Sequence, residues 1–296
     1  MKPLIVLMFA ALFVVACQAS NAKAASIRLC TGAESGNYFA AGDAVVKMAG
    51  KSLTVVNVPT EGTIDNLERV LDLDPSNPEA CDAMIGQPDG PVYVSRSSPA
   101  KVKKLRQVAT LHREYLHVLC GKKSGVDDLS DLPDDPAKYS VAIGEPGSGA
   151  WLIWQNIIAE DESYGKVPVR NEGSTLALSA VSSGETTCML VPAGLKNGTV
   201  NEADQIYGDT VLLAGAKDRD FDDATDIKGD PLYEYRDIPK GTYPRSLQSG
   251  WFSSRSTISW PAAIFVNTDR IDSKTLTTFV QAAARAAQAV KAEYGN

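Results

Sequence analysis

Ile27 to Tyr38 reads IRLCTGAESGNY, and this stretch decides the fold. Ile27, Arg28, Leu29 and Cys30 form a short run suited to a buried strand. The run breaks at Gly32 and Gly36 and resumes as NYFAAGDAVVKMAG. There Tyr38, Ala41, Val45, Met48 and Ala49 fall at helical spacing, so one face is apolar. A strand that passes through a glycine-bearing turn into a helix frames a pocket for an anion or a polar ligand. The first helical turn has backbone N–H groups without partners, and the dipole adds partial positive charge there.

The arrangement recurs along the chain. Leu53 to Val58 reads as a strand, followed by Pro59-Thr60-Glu61-Gly62-Thr63 and a helix with Ile64, Leu67 and Leu71 on one face, which Thr63 is expected to cap. A third strand, Ala83 to Gly86, runs into Gln87-Pro88. Further on, Val141-Ala142-Ile143-Gly144 leads through Glu145-Pro146-Gly147-Ser148-Gly149 into a helix with Ile153, Trp154, Ile157 and Ile158 on its buried side. Ser148 should place its hydroxyl at that helix start, as a ligand contact or simply as a cap. Glu172-Gly173-Ser174-Thr175 opens another helix, and the strand Thr187 to Val191 ends in Pro192-Ala193-Gly194. Polar or glycine-bearing turns at successive strand ends describe an α/β fold whose ligand lies beyond the carboxyl edge of its sheets.

Composition narrows the field. Hydrophobic content of 44% with 22% charged residues is that of a globular protein. A net charge of −7 argues against nucleic acid as partner, and the one basic cluster, Lys101 to Arg106, reads as a solvated segment before a strand. Lys2, the apolar run Leu4 to Ala16 and Ala22-Lys23-Ala24 make residues 1–24 a signal peptide cleaved after Ala24. Val14 to Cys17 also resembles a lipobox that would leave Cys17 lipidated, but the well-formed Ala-x-Ala site favours cleavage. Either route exports the protein.

Cys30, Cys81, Cys120 and Cys188 remain after the leader, an even number in an oxidising compartment. Cys30 lies near the end of its strand and Cys81 near the start of its own. In adjacent parallel strands that offset is roughly four residues, or about 13 Å, too far to bridge. No disulfide is therefore assumed. His112 and His117, on one predicted strand from Val108 to Cys120, are five apart and face opposite sides, which speaks against a metal pair. Asp218, Asp220 and Asp222 begin like a calcium loop, but Asp223 and Gly229 break the pattern, and 216–241 reads as a solvated acidic loop. No cofactor or metal site is expected. A last helix, Ser273 to Tyr294, carries Leu276, Phe279, Ala283, Ala287 and Val290 on one face, with Asp272 or Ser273 as cap.

The succession TGAESGNYFAAGDAV, PTEGTIDNLERV, CDAMIGQPD, LRQVATLHREYLHVLC, SVAIGEPGSGAW, STLALSAVSSGETTCML and IPKGTYP covers most of residues 27–290. In this order it resembles the TAXI branch of solute receptors, the extracytoplasmic subunits of TRAP (tripartite ATP-independent periplasmic) transporters. The resemblance implies a two-lobe periplasmic-binding-protein fold of the second type, each lobe a mainly parallel sheet flanked by helices. It places lobe I at 25–121 plus 258–296, lobe II at 122–257, and a small organic acid or glutamate-like amino acid in the cleft between them. By position, the family's pocket falls on Gly36, Asn37 and Tyr38, on Thr60 and Thr63, on Gln87, on Gly147, Ser148 and Gly149, and on Pro192, Ala193 and Gly194. Glu34 and Glu61 stand where the family usually carries small residues or glycine, Glu145 sits beside the second turn, and any of them facing the cleft would favour a ligand with an amino group. The partners implied are the solute and membrane-embedded TRAP permease subunits. An ATP-driven importer's receptor and a ligand-presenting sensor subunit share the fold. An exported enzyme is disfavoured, because no G-x-S-x-G or H-E-x-x-H occurs.

Overall fold

The computed structural model describes residues 26–34, 36–249 and 254–294; the expected signal peptide with Cys17, and Trp251, lie outside them. The chain opens as β1 Ser26–Cys30, α1 Asn37–Ala49, β2 Thr54–Val58, α2 Thr63–Leu71, β3 Ala83–Gly86, α3 Asp89–Ser97 and the short α4 Pro99–Val102. The long β4 Leu105–Gly121 leads to α5 Asp131–Asp134, β5 Val141–Ala142, α6 Gly149–Glu160, β6 Val169–Arg170, α7 Ser174–Ser183 and β7 Cys188–Ala193. Then come α8 Gly198–Ile206, β8 Val211–Ala214, β9 Glu234–Ile238, β10 Arg255–Asn267 and α9 Ser273–Tyr294.

The strands follow the order β2-β1-β3-β10-β4-β7-β5-β6, with β8 beside β4 and β9 beside β10. Each end of this order is parallel: β1 pairs with β2 and β3, and β5 with β6 and β7. Between them β4 and β10 run antiparallel and are shared by both halves. The start of β4 pairs with the end of β10 (Leu105 opposite Asn267), while its last residues pair with β7 and β8.

Side-chain alternation along β4 sorts the core. Leu116, Val118 and Cys120 pack with Ile153, Trp154, Tyr164 and Trp260; Tyr115 and Leu119 pack on the opposite face with Leu178, Met189, Val200 and Tyr243. In the other half, Ile27, Leu29, Val45 and Val55 meet Phe279, Ala283 and Val290 of α9, whose alanine face allows close packing. Cys30, Val58, Leu67, Val70 and Met84 lie on the face under α2. Helices thus cover both sheet faces in each half.

Both cysteine pairs are disulfides, which corrects the sequence expectation. Cys120 stands directly opposite Cys188 in the antiparallel β4–β7 pair, with Cα atoms 4.0 Å apart. Cys30 bonds Cys81 at a Cα separation of 5.9 Å although the register sets Cys30 opposite Met84. The error lay in extending β3 backwards as a straight strand. The chain before Ala83 turns over the sheet face instead, where the Cys81 N–H donates to the Arg69 carbonyl and Arg270 holds the Cys81 carbonyl at 2.6 Å.

One further expectation changes, and one open choice is decided. Residues 216–241 are not merely a solvated loop, because Phe221, Leu232, Tyr233 and Ile238 are buried and β9 joins the sheet. Asp272, rather than Ser273, caps α9, accepting from the Lys274 and Thr275 N–H groups at 3.0 Å each.

Candidate functional site

The turns after β1, β2 and β3 are tied to one another by a buried amide. Asn66 of α2 donates to the carbonyls of Thr31 at 2.7 Å and Ile85 at 2.8 Å, and the Thr60 hydroxyl donates to its Oδ1 at 2.6 Å. This clamp fixes the edge from which α1 and α2 begin. Gly36 precedes α1 in extended backbone and Gly62 precedes α2 with φ at 126°, and at neither start does a side chain cap the helix. Thr63 is therefore not the cap expected of it; its Oγ1 accepts from the Gln87 N–H at 3.1 Å. The first turn of α1 holds no acid, whereas Asp65 sits in that of α2 and accepts from the Glu61 N–H at 3.1 Å. The start of α1 is accordingly the barer, more positive corner.

That corner opens on a cleft of about 830 Å³ between the two halves. Gly32, Gly36, Asn37, Tyr38, Thr63 and Gln87 line one wall; Gly149 and the segment from Pro192 to Gly198 line the other. Pro192 and Ala193, expected in a turn, still belong to β7, pairing with Leu116 and Tyr115, and the chain leaves the sheet only at Gly194. Gln87 is 2% exposed, and its Oε1 is buried without a hydrogen-bond partner. The walls come close enough to matter. A Cβ added at Gly149 would sit 3.3 Å from Gln87 Oε1, and one at Gly194 would sit 3.3 Å from Asn37 Nδ2.

The opposite wall is braced from behind. His117, buried on β4, is pushed down to about 4 by desolvation and so is neutral at pH 7. Its Nδ1 bonds the Val191 carbonyl at 3.1 Å, and its Nε2 accepts from the Tyr243 hydroxyl at 2.9 Å. That hydroxyl in turn accepts from the Lys196 N–H at 3.0 Å. The relay holds Lys196, at a left-handed φ of 62°, on the cleft rim as the single cation lining it among the described residues.

Beneath Tyr38 lies a carboxylate. Glu114 of β4 is 6% exposed and accepts on Oε2 from the Tyr38 hydroxyl at 2.9 Å and the Trp260 indole N–H at 3.0 Å. Burial pushes it up to about 7. Asp89, at the start of α3, is also held at about 7 by burial and accepts from the Tyr233 hydroxyl at 3.2 Å.

Of the residues proposed from sequence, Gly36, Asn37, Tyr38, Thr63, Gln87, Gly149, Pro192, Ala193 and Gly194 line this cleft together with the exposed Glu61. Ser148 and Glu145 border a neighbouring hollow of about 560 Å³ that shares Gly149, Pro192 and Asn197 with it. The Ser148 hydroxyl is engaged as the cap of α6, accepting from the Trp151 N–H at 3.2 Å. Thr60 is spent on Asn66, Gly147 lies against Ile64, and Glu34 is exposed; none of the three lines the cleft. Sequence reasoning missed Glu114, Lys196 and Asn197. A signal for Glu114 existed, since it shares strand parity with Leu116, Val118 and Cys120 and so puts a carboxylate on a buried face.

The NMT1-like family model matches residues 29–275. Among solved structures, the periplasmic binding protein BugD matches with a TM-score of 0.51 at 12% identity, over 88% of this chain and 82% of that one. The periplasmic nitrate-binding protein NrtA from Synechocystis PCC 6803 matches at 0.50 and 12% identity, over 90% of this chain and 62% of that one. A TctC solute binding protein from Polaromonas matches at 0.47 and 13% identity, over 92% and 89%. Comparison with curated proteins gives no sequence match. The fold is that of the two-lobed periplasmic binding proteins of the second type.

Proposed function

The chain belongs to the NMT1-like family, and from that premise we propose that it is an extracytoplasmic solute receptor of the TAXI type. It captures a small organic acid or amino acid between its lobes and delivers it to a TRAP-type membrane permease. The observation that carries this reading is the bare start of α1, facing a cleft whose other wall belongs to the opposite half. Backbone N–H groups at Asn37 and Tyr38 hold the solute carboxylate, and Gln87, Tyr38 and Asn37 orient the rest. Lys196 and the segment Pro192 to Gly194, where β7 ends, approach from the second lobe. Contacts made from both walls at once favour the closed form, which is the form the permease reads.

The lobes we propose are 25–121 plus 258–296 and 122–257, joined through β4 and β10. Packing changes sides within those strands: Leu111 and Ala262 pack in the first core, Leu116 and Trp260 in the second. The bending point therefore lies near Glu114 and Pro261, which face neighbouring positions in the β4–β10 pair. Two disulfides agree with an exported, oxidising location. We read the protein as a receptor and not an enzyme, since both histidines are closed off in the core and the wall residues are those of a binding site.

A thermal-shift panel of amino acids and small organic acids, on protein first checked by native mass spectrometry for a carried ligand, tests the reading. A specific hit raises the melting point with the logarithm of its concentration. A panel without a hit, on protein that carries no ligand, contradicts it.

A further inference from the structure

We propose that Glu114 is the specificity-determining residue of the cleft, receiving a ligand ammonium, so that the solute is an amino acid rather than a plain carboxylic acid. The inference rests on the receptor reading above. Its starting point is the kind of polar atom left open inside the cleft. The α1 start offers donors to an anion, while beside it the cleft lining holds the buried Glu114 carboxyl and a buried amide oxygen, that of Gln87. Gln87 Oε1 has no partner. Glu114 lines the cleft and uses Oε2 for both Tyr38 and Trp260, while Oε1 carries neither bond and stands 3.9 Å from His112 Nε2. A second carboxylate brings only acceptors to Gln87 Oε1 and repels the ionised form of Glu114. An ammonium brings three donors to the same place.

Position also separates Glu114 from the other carboxylates. Glu61 and Glu293 line the cleft but are exposed, and solvent screens them. Asp89 is fully buried and engaged by Tyr233, outside the lining. The groups that face Glu114 are Tyr38 from α1, His112 from its own strand, Trp260 from β10 and, through space, Asp89 from α3. Burial pushes His112 down to about 4, so it supplies no positive charge near neutrality. The empty cleft therefore holds Glu114 shared between its two forms near pH 7, and an arriving ammonium favours the ionised one. Capture releases a proton.

Calorimetry on the mature protein with matched pairs, beginning with L-glutamate and glutarate, tests this at pH 6, 7 and 8 in two buffers of different ionisation heat. The amino member should bind about tenfold tighter or better. It should release roughly half a proton at pH 7 and weaken about tenfold from pH 8 to pH 6. Glu114→Gln keeps an acceptor for Tyr38 and Trp260 and should abolish the preference and the proton release together. Equal affinities within each pair in the unaltered protein, or a preference that survives in Glu114→Gln, overturn the role of Glu114. Acids bound without regard to their amine leave the receptor reading standing; failure of every pair to bind overturns both.

Discussion

Two corners of this molecule share one sequence design and end differently. TGAESGNY and GEPGSGAW each lead a strand through glycines into a helix. In the first corner Gly36 leaves the start of α1 without a side-chain cap, and no acid follows in the first turn. In the second, Ser148 caps α6 with its own hydroxyl, and nearby Asn197 caps α8 by accepting from Thr199 and Val200. A capped helix has satisfied some of the donors that an anion would use. In the proposed reading one corner is an open seat, and the other is a finished surface that would meet the ligand with Gly149, the end of β7 through Gly194, and Lys196. We propose a seat and a cover in place of two equal helix starts.

The strongest way to break that contrast is to finish the first corner. Gly36 has φ −96° and ψ 160°, backbone that any residue adopts. Gly36→Asp should cap α1 and place a carboxylate in the seat. Its Cβ would meet the Ala33 carbonyl oxygen at 3.1 Å, which offsets the capping gain, so stability should stay within about 1 kcal/mol, while affinity for an acidic solute drops by about 2–4 kcal/mol through like-charge repulsion. Thermal melts and calorimetry on the same sample separate the two; unaltered affinity would move the anion elsewhere. Thr63→Val comes next. It strands the buried Gln87 N–H, so about 1–3 kcal/mol of stability should go, with weaker binding as Gln87 shifts.

Ser148→Ala gives the converse result. Loss of the α6 cap should lower stability by about 1 kcal/mol and leave affinity within about twofold; a large affinity loss at unchanged stability would make the second corner a seat as well. Smallest is Lys196→Gln. Its charge is solvent-exposed, so the predicted cost is about 0.2–1 kcal/mol of affinity, shrinking as salt is added. Titrations at low and high ionic strength read it directly.

Strand–turn–helix units were legible because period and punctuation agree in them: β1, β3 and α9 stand where their residue patterns put them. Helix α3 was not, since Gly90 and Pro91 look like loop residues; at the first turn of a helix neither costs a hydrogen bond. The Cys30–Cys81 disulfide hid behind a register argument that could not know the chain folds over the sheet before β3, and Cys120–Cys188 behind the β4–β7 pairing, which local pattern does not reveal. Tyr38 and Gln87 could be proposed from their places after strand ends. Lys196 could not, because its role depends on Tyr243, which is 47 positions away and bonds its N–H. Thr60 and Ser148 have the residue types that contact ligands, but local hydrogen bonds claim their hydroxyls.

A crystal structure of the mature protein with its best thermal-shift hit examines the seat itself. The solute carboxylate should lie within about 3.2 Å of the backbone N–H groups at the start of α1, with the end of β7 and Gly194 closed over its other side. A solute found in the hollow beside Ser148 and Gly173, with the α1 start facing water, contradicts it.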